Sequence, residues 1–412
     1  MQKEKKIPNI VIVGGGFAGI ATIKKLKKLD VKANITLVSK SDIFEYYPAL
    51  YKLVTGALPI EVSVPIDVIF KNQNIEFKKE TFINLDEEKQ IIITKNSTDK
   101  ESIFSYDYLV LALGSETNFF NIKGLPELSY SFKSVDAAIK LKKHFCDLFK
   151  DSKDLTKEQL VSMLHVVIVG GGPSGVELAG DLKHYLIDLA KHHKTDPSFI
   201  TIDLIEASNR ILPTLPEKVS IIAEARLRKM GVNIFTNRAL ASQEIEEVFL
   251  KDMKMSSHTV IWTAGTRIND TFNKIPGIIL DDHKRVMVSD FLSLSKDNNV
   301  FIAGDGAATK YSGLAQTAID HGNYIATNIS KLEKGEKTNI YNPKTPSFVI
   351  PIGNYWAIFN HNNFVMSGFL PWILRSLIDM KYFIQIVPIK YVLTVFQKGK
   401  KYRKVYGGCE VE

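Results

Sequence analysis

The chain has 412 residues, of which 45% are hydrophobic and 24% charged, a composition typical of a folded protein of two or three domains. Fifty-three Lys and Arg against 45 Asp and Glu give a net charge of +8, which suits nucleic acid, an anionic membrane surface or an acidic ligand. Two cysteines exclude a disulfide framework and a paired CxxC metal site, and their scarcity favours a reducing compartment. The apolar run 10–13 is too short for a signal peptide, and no run of 18 apolar residues predicts a spanning helix.

Residues 10–26 predict a buried strand, a glycine turn and a helix. The turn has a GxGxxG pattern made by Gly14, Gly16 and Gly19. In this pattern the first glycine permits a tight turn, the second lets the backbone approach a pyrophosphate, and the third lets the helix pack on the sheet. The strand 35–38 that follows leads into Ser39, whose hydroxyl can bind an adenosine ribose less strongly than a carboxylate would.

Residues 166–182 repeat the same pattern with Gly170, Gly172 and Gly175. Here the next strand, 201–205, leads into Glu206, a carboxylate that can bind the ribose and would repel the 2′-phosphate of NADPH. Arg210 lies close in sequence and could instead receive that phosphate. Two dinucleotide sites in one chain predict an electron relay between a flavin and a nicotinamide cofactor, although the glycines alone do not assign them.

Three further strands end in small residues, which would let the chain pass close to a ligand. They are predicted over 108–114, 260–265 and 299–306, and their ends contain Ala112, Gly114, Gly265 and Asp305.

The pattern changes after residue 347. Residues 348–359 predict strands, and two helices follow within 371–396, separated by Pro388. Apolar residues recur at helical spacing at 373, 377, 380 and 384 and at 389, 392, 393 and 396, with Arg375 and Asp379 on the opposite face. Five basic residues follow, at positions 398, 400, 401, 403 and 404.

This segment is typical of helices that lie in the surface of an anionic membrane. Packing on the protein's own core and a homodimer interface are the alternatives. No nucleic-acid motif accompanies the basic tail, so no nucleic-acid partner is expected.

Together these residues resemble the flavoproteins with two dinucleotide-binding domains, and among them the type II NADH dehydrogenases, which are single-subunit NADH:quinone oxidoreductases. The resemblance extends from about residue 10 to residue 396. It implies an α/β fold of two Rossmann-like domains. An NADH domain of residues 126–275 would be inserted in a FAD domain of residues 1–125 and 276–340, with a membrane-associating segment at 341–412.

The resemblance also implies a role for individual residues. Those expected to bind FAD are Gly14, Gly16, Gly19, Ser39, Pro48, Ala112, Gly114, Asp305, Ala315 and Gln316. Those expected to bind NADH are Gly170, Gly172, Gly175, Glu177, Glu206 and Gly265. In the family a glutamate at the position of Glu177 is thought to border the nicotinamide and flavin and to assist positioning or proton movement.

Residues 313–322 match the family's quinone-site motif at Ala315, Gln316 and Ala318, but Asp320 replaces the second glutamine. Gln316 and Asp320 are four residues apart and therefore share a helix face. They are expected to meet a quinone carbonyl or to bond to water.

The expected reaction is hydride transfer from NADH to FAD, followed by reduction of a membrane quinone without proton pumping, at the cytoplasmic face of a membrane. A sulfide:quinone oxidoreductase and a slow, flavin-bound redox-sensing or interaction protein are the alternatives. Sulfide oxidation needs a cysteine pair across the flavin. Cys146 and Cys409 lie outside every strand end and glycine motif, so both are expected to be ordinary thiols. The histidines have no metal-ligand spacing, and no metal is expected.

Overall fold

A computed structural model of the protein describes residues 6–152, 155–294, 299–406 and 409. The chain divides into two compact units. The first comprises Met1–Glu45, Val64–Glu116 and Thr266–Pro346, and the second comprises Tyr46–Ser63, Thr117–Gly265 and Ser347–Glu412.

The described strands, in chain order, are β1 (Asn9–Val13), β2 (Asn34–Ser39), β3 (Ile43–Glu45), β4 (Ser63–Pro65), β5 (Glu76–Lys79), β6 (Thr81–Asp86), β7 (Ile91–Lys95), β8 (Glu101–Ser105), β9 (Tyr108–Leu111), β10 (Ser115–Thr117), β11 (His165–Val169), β12 (Thr201–Ile205), β13 (Val232–Phe235), β14 (Leu240–Glu244), β15 (Glu247–Leu250), β16 (Lys254–Ser256), β17 (Thr259–Trp262), β18 (Thr266–Ile268), β19 (Val300–Ile302), β20 (Phe348–Pro351), β21 (Ala357–His361) and β22 (Phe364–Gly368).

The described α-helices are α1 (Phe17–Lys28), α2 (Leu50–Val54), α3 (Ile66–Ile69), α4 (Leu125–Leu128), α5 (Val135–Asp151), α6 (Lys157–Met163), α7 (Pro173–His193), α8 (Glu217–Lys229), α9 (Ala315–Glu333), α10 (Phe369–Ile386) and α11 (Ile389–Tyr406).

The first unit is built on a parallel sheet in the order β19-β9-β1-β2-β5. Its central strand β1 is a run of apolar residues that are buried on both faces, as a parallel sheet covered on both sides requires. Helices α1 and α9 pack closely because Gly322 leaves room for the Ala18 carbonyl, which would lie 2.4 Å from a Cβ there. The antiparallel strands β6, β7 and β8 belong to the same unit.

The second unit repeats this arrangement. Its parallel sheet has the order β13-β12-β11-β17, and β11 again leads through a glycine turn into a helix, α7. The strands β14, β15 and β16 form an antiparallel sheet beside it. The prediction of an α/β fold with two Rossmann-like sheets is confirmed.

The C-terminal part of the second unit is an antiparallel sheet in the order β20-β21-β22, followed by α10 and α11. Helix α10 ends at Ile386, and its C-cap Val387 is extended, as expected for the residue before Pro388. Across the described residues, no helix has both the length and the hydropathy needed to cross a bilayer.

The expectation that the two cysteines are ordinary thiols is wrong. Cys146 on α5 and Cys409 form a disulfide, with their Cα atoms 5.7 Å apart. Sequence reasoning missed it because the partners are 263 residues apart, and only the tertiary structure brings them together. The Tyr185 hydroxyl of α7 lies 3.6 Å from the Cys146 sulfur.

The cross-link constrains the unfolded chain, so its loss should destabilise the protein by about 2–4 kcal/mol. We expect Cys409→Ser to lower the midpoint of thermal unfolding without reductant, and reductant to lower that of the wild type equally. Reductant should leave the variant unchanged. Equal midpoints for wild type and variant without reductant would contradict the cross-link.

Candidate active site

The first glycine loop has the geometry of a phosphate cradle. Gly14 has a φ of +113°, and a Cβ there would lie 2.1 Å from the Ala112 carbonyl oxygen. A Cβ at Gly19 would lie 2.0 Å from the Gly14 oxygen. At Gly16, the N-cap of α1, no protein atom lies within 4 Å of the Cβ position, so the loop is open where the helix presents its free N–H groups.

Ser39 lies at the end of β2, beside this loop. It is buried, and its hydroxyl oxygen would lie 3.0 Å from a Cβ on Gly15. The loop and Ser39 therefore share the carboxyl edge of one parallel sheet, where ligands of such sheets bind. Gly114, which follows β9, has a φ of +69° and an open Cβ position.

Asp305 lies in the turn after β19 and accepts a hydrogen bond of 2.5 Å from the Ser115 hydroxyl. The preceding Gly304 donates its N–H to Nδ1 of the buried His321, at 3.1 Å. Burial lowers the pKa of His321 to about 4, so its ring is neutral and its Nε2 can donate to the Thr309 hydroxyl, 3.3 Å away. Sequence reasoning missed His321, although its position directly after Asp320 was the available signal.

The residues of the predicted quinone motif open α9. Ala315 is its first residue, and Gln316 is exposed. Asp320 forms an ion pair with Lys344, with Nζ 2.7 Å from Oδ1, and its Oδ2 accepts a hydrogen bond of 3.3 Å from the Tyr341 hydroxyl. Both carboxylate oxygens are thus engaged within the first unit, and a role of Asp320 toward a quinone stays a prediction.

The second glycine loop has the same construction as the first. Gly170 has a φ of +118°, and a Cβ there would lie 2.6 Å from the Ala264 nitrogen. A Cβ at Gly175 would lie 1.9 Å from the Gly170 oxygen, whereas that of Gly172, the N-cap of α7, would meet nothing within 4 Å. This unit therefore offers a second open cradle at a helix N-terminus.

Glu206 is tied to that second loop. Its Oε2 accepts from the Gly171 N–H at 2.8 Å, and its Oε1 accepts from the Ser208 N–H at 2.7 Å. Gly265, after β17, has a φ of +122° and lies against the Phe120 ring. Both predicted residues therefore border strand ends of one sheet.

The guanidinium of Arg210 is occupied by contacts within the protein. Its guanidinium donates to carbonyl oxygens of Leu212, Pro213 and Leu215 and to the Ser220 hydroxyl. These four bonds, of 2.5–3.1 Å, hold the group against its own loop and the first turn of α8. The structure therefore disfavours Arg210 as the acceptor of a 2′-phosphate.

Glu177 lies one turn into α7 and is buried. Burial raises the pKa of its carboxyl to about 8, against the opposing effect of Arg375. Burial also raises the pKa of Asp181, one turn further along α7, to about 6. The nucleotide loop and a carboxyl that holds a proton at neutral pH thus occur on one helix.

Arg375 and Asp379 of α10 belong to the same cluster. The Arg375 Nη1 lies 3.6 Å from Glu177 Oε1, and its Nε lies 3.0 Å from Asp379 Oδ1. Asp379 also accepts from the Tyr46 hydroxyl at 2.7 Å and from Lys52 at 3.0 Å. Sequence reasoning placed Arg375 and Asp379 on one helix face but did not foresee that this face lies beside Glu177, with side-chain exposures of only 12% and 11%.

Sequence reasoning did not predict Tyr46 and Lys52 as members of this cluster. It named Pro48, but as a residue that would bind FAD. The Pro48 carbonyl accepts a hydrogen bond from Arg375 Nη2 within the second unit. Contact of Pro48 with a flavin stays a prediction.

The model of the family described as pyridine nucleotide-disulphide oxidoreductase matches residues 8–322. The chain belongs to this family. The match includes both glycine loops, Glu177 and the turn at Asp305.

Individual known proteins resemble the chain over most of its length. A type II NADH:quinone oxidoreductase of Haemophilus influenzae is 27% identical over 387 residues, which cover 86% of this chain and 87% of that protein. The NDH2 of Plasmodium falciparum, solved in complex with NADH, matches with a TM-score of 0.88 at 19% identity, covering 99% of this chain and 100% of that one. The sulfide:quinone oxidoreductase of Aquifex aeolicus matches with a TM-score of 0.77 at 19% identity, covering 92% and 90%. At these identities the structural matches show the shared fold.

The Glu206 carboxylate beside the second loop should favour NADH over NADPH, because it would repel a 2′-phosphate. We expect Glu206→Gln to narrow the ratio of kcat/KM values for NADH and NADPH by about tenfold, which corresponds to about 1.4 kcal/mol. Steady-state kinetics with both nucleotides measures this ratio. The exposed Glu217, at the start of α8, provides the control, because Glu217→Gln removes the same charge elsewhere in the second unit. An unchanged ratio in Glu206→Gln would show that this strand end does not bind the ribose.

Proposed function

We propose that the protein is a FAD-dependent NADH:quinone oxidoreductase that reduces a membrane quinone without pumping protons. The observation that carries the proposal is helix α7. It begins at an open nucleotide cradle and, within its second turn, presents the buried acid Glu177. The N-terminus of α7 would therefore bind a nicotinamide dinucleotide, and the same helix carries a carboxyl that holds a proton. The likeness to type II NADH:quinone oxidoreductases supports this assignment.

The first unit offers the residues that would hold FAD. Their fit rests on the open cradle at Gly16, the strand-end Ser39 and the turn at Asp305. The proposed set in this unit is Gly14, Gly16, Gly19, Ser39, Ala112, Gly114, Asp305, Ala315 and Gln316, and Pro48 of the second unit is one further proposed contact. Bound FAD supplies the two-electron chemistry that joins hydride from NADH to reduction of a quinone.

The second unit would bind NADH. The N–H groups at the start of α7 suit the pyrophosphate, and Glu206 suits the adenosine ribose. Because Gly172 leaves its side of the loop open, the phosphates can approach the backbone closely. Gly170 and Gly175 keep the loop tight, and Gly265 keeps the neighbouring strand end small.

Glu177 would supply a proton to quinone reduction. A quinone takes up two protons with two electrons, and a carboxyl with a pKa of about 8 holds its proton at neutral pH. Asp181, one turn further along α7, is a second carboxyl that could replace that proton.

This role predicts a pH dependence. Since an acid with a pKa of about 8 loses its proton above that value, quinone reduction should fall as the pH rises through about 8. We expect Glu177→Gln, which keeps the shape but holds no acidic proton, to lower kcat for quinone reduction by about 100-fold and to remove this alkaline limb. NADH-driven reduction of ferricyanide, which takes up no proton, should be retained and serves as the control. An unchanged alkaline limb in the variant would contradict the proposal.

The C-terminal helices would attach the protein to the membrane. In α10 the side chains of Arg375 and Asp379 are only 12% and 11% exposed, whereas Leu370 is 65% and Leu377 50% exposed. In α11, Ile389 and Leu393 are exposed, whereas Val392 of the predicted apolar face is buried. The side chain of Phe396 and those of the basic residues 400–404 lie outside the described residues. The exposed apolar residues of the two helices are Phe369, Leu370, Leu377, Ile378, Met380, Ile384, Ile389 and Leu393.

A helix whose apolar face points outward needs an apolar cover. We propose that this cover is the anionic cytoplasmic face of a membrane, because the reaction needs a quinone that resides in the bilayer and the chain carries a net charge of +8. A homodimer through the same face is the alternative outcome.

Membrane attachment predicts flotation with anionic liposomes at low salt, weakened but not abolished by salt because charge attraction is screened and apolar insertion is not. We expect the double variant Leu377→Glu, Leu393→Glu to stop floating and to lose reduction of a long-tailed quinone, with ferricyanide reduction retained. The exposed polar residues of the same helices provide a control of equal charge, Gln385→Glu with Gln397→Glu. Equal flotation of both double variants, or a wild-type protein that does not float and is a dimer in solution, would overturn the membrane assignment.

The structure gives the sulfide-oxidising alternative a cysteine pair, which lies in the second unit. The Cys146 sulfur lies beside Tyr185, and residues 172 to 185 of α7 span roughly 20 Å at about 1.5 Å per residue. The disulfide is therefore far along α7 from the open nucleotide loop. This separation favours NADH:quinone chemistry that does not pass through the thiols.

A further inference from the structure

In the buried cluster around Glu177, two carboxylates lie at unequal distances from one guanidinium. Arg375 lies between two carboxylates of the second unit, Glu177 on α7 and Asp379 on α10. Its Nε is 3.0 Å from Asp379, a normal hydrogen bond, whereas its Nη1 is 3.6 Å from Glu177, beyond that range. Asp379 therefore holds the cation more closely than Glu177 does.

Two further donors of Arg375 are also engaged. Nη1 donates to the Val349 carbonyl at 3.0 Å, and Nη2 donates to the Pro48 carbonyl. These bonds fix the plane of the guanidinium, because its five N–H groups form a rigid fork. With Asp379 at one end and two backbone carbonyls at the other, the group is not free to turn toward Glu177.

Asp379 is itself secured by partners outside its helix. The Tyr46 hydroxyl donates to its Oδ1 at 2.7 Å, and Lys52 of α2 donates to its Oδ2 at 3.0 Å. Burial would raise the pKa of Asp379, but Lys52, Arg375 and the Tyr46 hydroxyl together lower it. Asp379 is thus a buried anion with donors on both of its oxygens, two of them cationic, which is the condition under which a buried charge is stable.

We propose that Asp379 is a positioning residue that holds the Arg375 guanidinium beyond hydrogen-bonding distance of Glu177 and so leaves the Glu177 carboxyl able to hold a proton. This inference rests on the proposed function only for the use of that proton, which is the reduction of a quinone. The positioning itself is a property of the second unit and can be measured without turnover.

The charged groups near Glu177 act on its pKa in two opposite directions. Asp379 and Asp181 favour the protonated form of Glu177, and Arg375 and Lys52 favour the ionised form. Tyr51 of α2, whose pKa burial raises well above its ordinary value, is neutral. Removing the Asp379 charge takes away one anion and also releases Arg375, and both changes lower the pKa of Glu177. Removing the Lys52 charge has the opposite effect.

Infrared spectroscopy of the purified protein with its cofactor bound can follow the carbonyl stretch of a protonated carboxyl as a function of pH. The band that disappears in Glu177→Gln is assigned to Glu177. In Asp379→Asn this band should be lost at a pH at least about one unit lower than in the wild type, since freeing an opposite charge at this distance shifts a carboxyl by about 1–3 units. Asp379→Glu keeps the charge and should restore most of the wild-type midpoint.

Lys52→Met is the second variant, and it keeps the proposal testable if Asp379→Asn does not fold. Lys52 is partly exposed, so its replacement leaves less buried charge unpaired. We expect it to move the Glu177 midpoint to higher pH. An unchanged or raised midpoint in a folded Asp379→Asn, or a lowered one in Lys52→Met, would overturn the proposal.

The alkaline limb of quinone reduction provides the link to activity. It should move to lower pH in Asp379→Asn together with the infrared midpoint. If the infrared midpoint moves but wild-type protein does not reduce quinone with NADH, the proposed function fails and the positioning role stands. If quinone is reduced and the midpoint does not move, the positioning role fails and the function stands.

Discussion

The burial of the Arg375 charge is the constraint on which the second unit depends. A guanidinium out of water must have its donors satisfied, and here α10 can satisfy them only by turning its polar face toward α7 and toward the segment that contains Tyr46 and Lys52. Two consequences follow from this one orientation. The acid Glu177 acquires a cation at a controlled distance, and the apolar residues of α10 are left on the outside. The orientation of α10 therefore decides both which cation faces Glu177 and which side chains of the helix face outward.

The close approach of backbones is the second constraint. In both units a strand turns into a helix through glycines whose Cβ positions would overlap a carbonyl oxygen at about 2 Å, as at Gly14 and Gly19. The middle glycine of each loop has no such neighbour. The loops are thus tight where the chain meets itself and open where the helix N–H groups point outward, which is why the same sequence pattern provides both packing and a place for phosphate.

Several polar side chains that could have been assigned to ligands are instead structural. Arg210 donates four hydrogen bonds to its own loop and to α8, and the buried His321 accepts a hydrogen bond from the N–H of Gly304. Such residues shape a site without needing to touch what binds there. Asp320 is engaged in the same way on α9, where Lys344 and Tyr341 contact it. Residue type and proximity in sequence are therefore weak guides to which polar groups remain available.

The sequence by itself determined the two strand–glycine–helix motifs, the parallel sheets built on them, the strand ends at Ser39, Glu206 and Asp305, and the break at Pro388. These features follow from local rules, because glycine spacing, β-branched runs and proline act within a few residues. The tertiary structure decided which distant residues meet. It joined Cys146 to Cys409, placed residues 46–63 in the second unit, and buried Asp379 between Tyr46 and Lys52. Periodicity showed that Arg375 and Asp379 share a face of α10, but it could not show whether water or Glu177 lies opposite. That depends on the free energy of pairing buried charges across elements far apart in the chain, which no local pattern encodes.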